Sequence, residues 1–338
     1  MKKITLPLLS VLMFACSTDS DGLSDAANEE TTNSAPSIAS ESFQVDEHSA
    51  TGTVIGNVQA SDREDDVLTY TIDSSENILI NETTGALSIG EGLKLDFEST
   101  NSLNFTVSVF DGTAISDADI TLNIEDINEF DALNASQKEV VSHFKHLTLF
   151  QDPTSPTQTI MRKWDEPMNL YLVGNFPDAT RSMVQEVIAN YNMLTASGNF
   201  SISLVDTESE SNAQVFYGTK EETENVFPNM YEHIKDLTLD GYAISSFVGN
   251  SYRSAEIWIS SQTAALFTHE LGHALGLGHS NLCDGDSPSA MCSTIAPNNE
   301  LLEIENNVIS FFYNENMPTG LNAQEIEDNL SNLILLED

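Results

Sequence analysis

The sequence predicts a multidomain protein, with an all-β sandwich near the N-terminus followed by a mixed α/β (α+β) domain. Its 338 residues are enough for two domains that each bury a hydrophobic core. Between Pro36 and Glu129, short segments alternate apolar and polar residues, whereas later segments mix strand-like runs with helical spacing. We expect an N-terminal signal segment at 1–16, a tether at 17–35, the sandwich at 36–130 and the second domain at 131–338.

The first 16 residues have the composition of a bacterial export signal. Lys2 and Lys3 form a short positive region, and Ile4 to Ala15 is nearly all apolar but too short for a permanent transmembrane helix. The ending at Cys16 resembles a lipobox. This resemblance implies a lipidated cysteine, which would be the protein's only membrane attachment, at the outer membrane or cell surface. Ordinary cleavage and secretion is the alternative.

The charge balance is strongly acidic, because 12 Lys and Arg face 53 Asp and Glu for a net charge of −41. Such a surface repels phosphates, so we expect no nucleic acid partner. The polar residues 17–35 predict a disordered tether. Acidic runs such as residues 62–66 serve either solubility or Ca²⁺ binding, and the composition leaves both open.

The sandwich is predicted from short alternating segments that turn residues separate. Gly85 and Gly112 lie in two of these turns. Strands at this spacing favour two packed antiparallel sheets. The clearest candidate strands are 52–58, 68–72, 104–110 and 120–124.

A series of short motifs in this region, taken in order, resembles one cadherin repeat over about residues 36–129. The motifs are Ala35-Pro36, Glu47, Ala60 to Glu64, Leu68 to Tyr70, Thr84 to Leu87, Leu95 to Glu98, Phe110-Asp111 and Asp126 to Glu129. The resemblance implies a role in docking to a cell surface or matrix. It also implies a Ca²⁺ site beside the next domain, and a solvated acidic rim is the alternative. The implied ligands are Glu47, Asp96, Glu98, Asp126 and Asn128.

The second domain is predicted to begin with a helix over 136–148, which opens on the capping-box pattern Ser136 to Glu139. His143 and His146 lie on this helix with no nearby ligand pattern, so we interpret them as surface or packing residues. The later strands are predicted at 168–173, 200–204, 213–217 and 255–260, and the later helices at 178–194, 263–276, 299–313 and 321–335.

The stretch from His269 to His279 carries the chemistry. His269 and His273 are four residues apart, so a helix places both imidazoles on one face, where they can bind one metal ion. Gly276 tolerates the left-handed conformation that turns the chain and brings His279 back as a third ligand. Three neutral nitrogens leave a fourth position open, as is typical of catalytic zinc, and Glu270 can accept a proton from water there.

This stretch matches the HExxHxxGxxH pattern of the metzincin zinc metalloproteases at every fixed position. The resemblance implies a zinc-dependent endopeptidase that cleaves extracellular proteins or peptides through a zinc-bound water activated by Glu270. It also implies a Met-turn at Met291 beneath the metal. The surroundings of His279 and Met291 are similar to the matrixin branch, although the loop between them is longer and includes Cys283.

Two questions stay open at the level of the sequence. Cys283 and Cys292 form either a disulfide, as export to an oxidising compartment favours, or two partly buried free thiols. The alternative to an active protease is a calcium-dependent surface adhesion protein with a catalytically silent protease domain. Intact Glu270 favours the active enzyme, because a decayed protease commonly loses its base or a ligand.

Overall fold

The computed structural model describes residues 32–151, 158–284 and 288–337, so the predicted signal segment and its lipidated Cys16 lie outside the described residues. The chain forms an all-β unit up to Glu125 and a mixed α/β unit after it. The strands of the first unit are β1 (Ser37–Ile38), β2 (Glu41–Asp46), β3 (Val54–Asn57), β4 (Ala60–Ser61), β5 (Thr69–Asp73), β6 (Ile78–Ile80), β7 (Ala86–Ile89), β8 (Ser102–Phe110) and β9 (Ile115–Glu125).

The all-β unit is a sandwich, as predicted. Its main sheet has the order β2-β9-β8-β5 and faces a second sheet of order β3-β7-β6, while β1 pairs with β4. Alternate residues point into one core, because successive side chains of a strand face opposite sides. The fully buried members include Leu87 and Ile89 from β7, Val107 from β8, and Ile120 and Leu122 from β9.

The second unit begins with helices and continues as a mixture of both element types. A 3₁₀ turn at Glu208–Glu210 also lies within it. Its elements are α1 (Glu129–Ala132), α2 (Ala135–Thr148), β10 (Met168–Val173), α3 (Asp178–Leu194), β11 (Ile202–Val205), β12 (Ala213–Tyr217), α4 (Thr223–Val226), α5 (Pro228–Ile234), β13 (Gly241–Val248), β14 (Ser251–Ile259), α6 (Ala264–Leu275), α7 (Glu303–Phe312) and α8 (Ala323–Glu337).

Its sheet has the order β11-β10-β12-β14-β13, in which only the edge strand β13 runs antiparallel to its neighbour. One face carries the main core, where Leu170, Val215 and Ile257 of the sheet join a cluster that includes Val184 of α3 and Leu271 of α6. The other face is covered by α5. Both faces of the mostly parallel sheet are therefore buried, as such sheets require.

The structure corrects one helix start and adds elements that the sequence analysis missed. α2 begins at Ala135 and is capped by Asn134, whose Oδ1 accepts from the backbone of Ser136 and Gln137, so Ser136 is not the cap. The side-chain oxygen of Gln137 accepts from the Asn134 N–H, which completes the capping box two residues earlier than predicted. Several sandwich strands, among them β2 and β6, had no prediction, and neither did β13 or the short helices α4 and α5.

Among the described residues, no helix combines the length and apolar character that a membrane crossing requires.

Candidate metal centres

The helix α6 and the turn after it bring three histidines together. Thr263 caps the helix, and Gly276 ends it with φ 106°, a conformation that costs glycine little. A Cβ at position 276 would also lie 2.6 Å from the Arg162 carbonyl oxygen. The chain then reverses, and one nitrogen each of His269, His273 and His279 lies within 4.8 Å of the others.

The hydrogen bonds of two imidazoles fix which nitrogen faces the centre. Nδ1 of His269 donates to the Ala290 carbonyl at 2.8 Å, and Nδ1 of His273 donates to the Leu277 carbonyl at 2.7 Å. Both Nε2 lone pairs therefore face each other at 3.0 Å. Burial lowers the pKa of His269 to about 4 and that of His273 well below its usual value, so both rings are neutral. Facing lone pairs on neutral rings fit a cation between them, and three nitrogens suit Zn²⁺.

Glu270 lies beside these ligands on the same helix and is 4% exposed. Burial raises the pKa of its carboxyl to about 8, and a divalent cation nearby would favour the ionised form. The backbone of Gly241, at the start of β13, packs directly on this carboxylate. A Cβ at position 241 would lie 2.8 Å from Glu270 Cγ, so glycine leaves the room that Glu270 occupies. Sequence reasoning missed Gly241, since its role depends on strand packing.

The segment after the histidines passes beneath α6. Met291 is fully buried, and its side chain packs against Gly272 on the underside of the helix. The Met291 carbonyl accepts from the Ser280 N–H at 2.8 Å, which ties this turn to the residue after His279. A disulfide joins Cys283 to Cys292 across the same loop.

A buried carboxylate, Glu305 on α7, supports this region and was missed by the sequence analysis. Its Oε1 accepts from Ser289 Oγ at 2.5 Å, its Oε2 accepts from the Leu302 N–H at 3.0 Å, and His143 Nε2 lies 3.6 Å away. Ser289 Oγ in turn accepts from the Met291 N–H at 2.8 Å. Burial would raise the pKa of Glu305, but the interactions with His143, Ser289 and Leu302 outweigh it and lower the pKa.

The two histidines of α2 are therefore more than surface or packing residues. His143 is 5% exposed and belongs to the Glu305 network, and His146 Nε2 lies 3.1 Å from the His279 carbonyl oxygen. No sequence pattern indicated these contacts, because both join segments more than 130 positions apart in the chain.

A second candidate metal site, made of carboxylates, lies where the sandwich meets the helical unit. Glu47, Glu98, Asp126 and Glu129 each place one carboxylate oxygen within 4.8 Å of the others. Glu47 is 2% exposed, and its oxygens accept from the N–H groups of Phe97 at 2.8 Å and Ile127 at 3.0 Å. Burial and then the neighbouring carboxylates raise the pKa values of Glu98 and Glu129. This mutual repulsion fits a divalent cation with oxygen ligands.

Two of the predicted calcium ligands have other partners. Asp96 accepts from the Ser99 hydroxyl at 2.7 Å, and Asn128 Oδ1 accepts from the Asp131 N–H at 2.8 Å as the cap of α1. Glu129, which the sequence analysis did not choose, takes a place in the cluster. The signal that could have identified Glu129 was its carboxylate at the last position of the motif Asp126 to Glu129.

The helix α8 closes the far side of this cluster. A cavity of about 550 Å³ lies between the two units, lined by Glu98, Asp126 and Glu129 on one side and by Asp328, Asn329 and Asn332 of α8 on the other. Asn332 Nδ2 donates to Glu98 Oε2 at 3.4 Å. The junction is therefore acidic, and Asp328 adds one carboxylate from α8 to those of the cluster.

Among curated proteins, the chain is similar to a cadherin protein. Protocadherin-15 of Mus musculus is 37% identical to this chain over 93 residues, and the Homo sapiens protein is 34% identical over the same length. The all-β sandwich is cadherin-like. The matched stretch is 26% of this chain and only 5% of either protocadherin. No family model matches the chain.

Solved cadherin structures also match part of the chain. The EC1-2 fragment of human protocadherin-24 has a TM-score of 0.26 at 22% identity, covering 29% of this chain and 46% of that one. The EC1-3 fragment of Drosophila N-cadherin has a TM-score of 0.26 at 20% identity, covering 28% of this chain and 35% of that one.

Proposed function

We propose that this protein is an exported zinc-dependent endopeptidase of the metzincin type. The observation that carries the proposal is the convergence of three imidazoles, from His269, His273 and His279, beside a buried Glu270. Zn²⁺ bound by these nitrogens would polarise a peptide carbonyl and lower the pKa of water. The neutral state of His269 and His273 supports this, because only neutral imidazole binds a metal ion.

Glu270 is the proton carrier of the proposed reaction. Its carboxylate accepts a proton from the attacking water while the water oxygen bonds to the peptide carbonyl carbon. The C–N bond then breaks, and Glu270 passes the proton to the leaving nitrogen. The products are a carboxylic acid and an amine, and no acyl-enzyme forms. The packing of Gly241 against Glu270 holds this carboxylate in place.

The position of β13 supports an extended peptide as the substrate. In the part of the chain that the structure describes, β13 pairs with β14 alone, so its outer edge offers free backbone groups. A strand edge binds an extended peptide through backbone hydrogen bonds. Because Gly241 at the start of β13 touches Glu270, a peptide along this edge would pass the proton carrier.

The test is cleavage of a diverse peptide library, read by mass spectrometry, with wild type and His273→Ala in parallel. We expect wild type to cut and to hold zinc at this site, and His273→Ala to lose both, because a catalytic zinc site needs three protein ligands and the variant keeps only two. The matched control is His233→Ala, since His233 is exposed on α5. Zinc retained in full by His273→Ala, or cuts that persist in it, would contradict the proposal.

A second candidate function is calcium-dependent adhesion at the cell surface through the sandwich, with a silent catalytic domain. The similarity to protocadherin-15 concerns the cadherin-like region alone. It therefore favours the adhesion function over the protease. The acidic cluster of Glu47, Glu98, Asp126 and Glu129 supports Ca²⁺ as the ligand of the junction. Both functions are compatible with a surface protein that carries a lipid at Cys16.

Removal of Ca²⁺ by dialysis, with zinc held constant, is expected to lower the melting temperature. A ligand at 100 times its dissociation constant stabilises the folded state by about 2.7 kcal/mol, and the loss of Ca²⁺ reverses this. Differential scanning calorimetry measures the shift. Asp126→Asn should shrink the shift, whereas Asp117→Asn, at an exposed position on β9, should leave it unchanged. Identical melting curves with and without Ca²⁺ would rule out the calcium site.

A further inference from the structure

His48 lies beside the acidic cluster at the junction, and Nε2 of its imidazole is buried without a hydrogen-bond partner. Its side chain is 7% exposed, and Nε2 makes no hydrogen bond. The nearest carboxylate oxygen, Oε2 of Glu47, is 3.7 Å from Nε2, beyond hydrogen-bond distance. Buried polar atoms without a partner are rare, and an ion that completes them is one established reason for their presence.

The backbone holds His48 in an uncommon conformation. Its φ is 53°, in the left-handed region, and its N–H donates to the Leu95 carbonyl at 3.0 Å. A residue other than glycine in this region is strained, and such strain is concentrated at functional sites.

The donor set around His48 differs from that of a calcium site. One ring nitrogen of His48 and one carboxylate oxygen each of Glu47 and Glu129 lie within 4.8 Å of one another. Ca²⁺ takes oxygen ligands, whereas imidazole with carboxylates suits first-row transition metals such as Zn²⁺. The nitrogen therefore distinguishes this group from the all-oxygen cluster that includes Glu98 and Asp126.

One Ca²⁺ does not neutralise the negative charge of the junction, so a second cation can bind there. The four carboxylates of the acidic cluster carry four negative charges, of which one Ca²⁺ offsets two. Across the described ranges, no lysine or arginine forms an ion pair with any of the four. A second divalent ion would complete the neutralisation, and carboxylates commonly bridge two metal ions because each offers two oxygens.

We propose that Glu47, His48 and Glu129 bind a transition-metal ion of the Zn²⁺ class, next to the Ca²⁺ position and sharing Glu47 and Glu129 with it. Glu129 opens α1, the first element after the sandwich, whereas Glu47 and His48 follow β2. The ion therefore joins the sandwich to the start of the helical unit. This site is independent of the zinc ligands on α6.

The test is the number of zinc ions per chain in the whole protein, measured by elemental mass spectrometry with Ca²⁺ saturating. We expect two in wild type and one in His48→Asn, because asparagine tolerates the left-handed backbone but lacks the imidazole. His233→Asn, the same change at an exposed histidine, should keep two. His273→Ala should keep the zinc at the junction, so the two sites are counted separately.

The outcomes separate this inference from the proposed protease. Two zinc ions in His48→Asn, or a single zinc in wild type that His273→Ala removes, overturns the junction site. A single zinc in wild type that His48→Asn removes and His273→Ala keeps supports the junction and overturns the catalytic site. Should His48→Asn fail to fold, Glu129→Gln at the half-buried start of α1 gives the same readout, with zinc affinity at the junction lowered at least tenfold.

Discussion

Replacement of Glu270 by glutamine is expected to lower kcat/KM for peptide cleavage by about 10²–10⁴-fold, the range that a positioned general acid or base contributes. Glutamine has nearly the same shape but accepts no proton from water at neutral pH. The three imidazoles are untouched, so zinc content should stay at the wild-type value. Steady-state kinetics on a peptide found in the library, together with metal analysis, measures both quantities.

The control for this variant is Glu232→Gln, the same change on α5 at a glutamate whose side chain is 66% exposed. It should cleave like wild type. A Glu270→Gln protein that cleaves at the wild-type rate with its zinc in place would remove Glu270 from the mechanism. Loss of zinc together with activity would instead assign Glu270 a structural part in the metal site.

Replacement of Glu305 by leucine is expected to lower the free energy of unfolding by about 1–3 kcal/mol for each buried donor that it leaves without an acceptor. The variant leaves the Ser289 hydroxyl and the Leu302 N–H without their acceptor, and it removes the carboxylate that faces His143. For a unit of this size, each kcal/mol lowers the melting temperature by about 2–4 °C. Thermal unfolding by circular dichroism measures the shift.

The same variant should weaken zinc binding by about 10–100-fold, since groups that orient metal ligands contribute that much to affinity. The path runs from Glu305 through Ser289 to the Met291 N–H, and the Met291 carbonyl binds the residue after His279. Glu305→Gln keeps one acceptor oxygen, so it should lose less stability and less zinc affinity than Glu305→Leu. Glu303→Leu, at an exposed position of the same helix, is the matched control. Unchanged stability and zinc affinity in Glu305→Leu would show that Glu305 supports neither.

Local patterns were sufficient for the elements whose side chains face one core. The alternation in β8 and the helical spacing in α3 and α6 predicted these elements within two residues, because burial imposes the period, whereas only the second half of β9 was predicted. They were insufficient for β13, whose partly exposed edge position weakens the period. The start of α2 was misplaced because Ser136 and Asn134 both carry capping signals, and the choice depends on which side chain reaches the free N–H groups.

The sequence by itself determined the spacing of His269, His273 and His279, since the α-helix and the turn at Gly276 are set by neighbouring residues. It also determined the acidic motifs of the sandwich, whose order along the chain predicted a cation site. Only the tertiary structure decided what surrounds these groups. Glu305, His143 and Gly241 reach the candidate zinc centre from distant segments, and α8 closes the junction. Contacts of this kind leave no periodic trace in a sequence, because they depend on how packed elements meet.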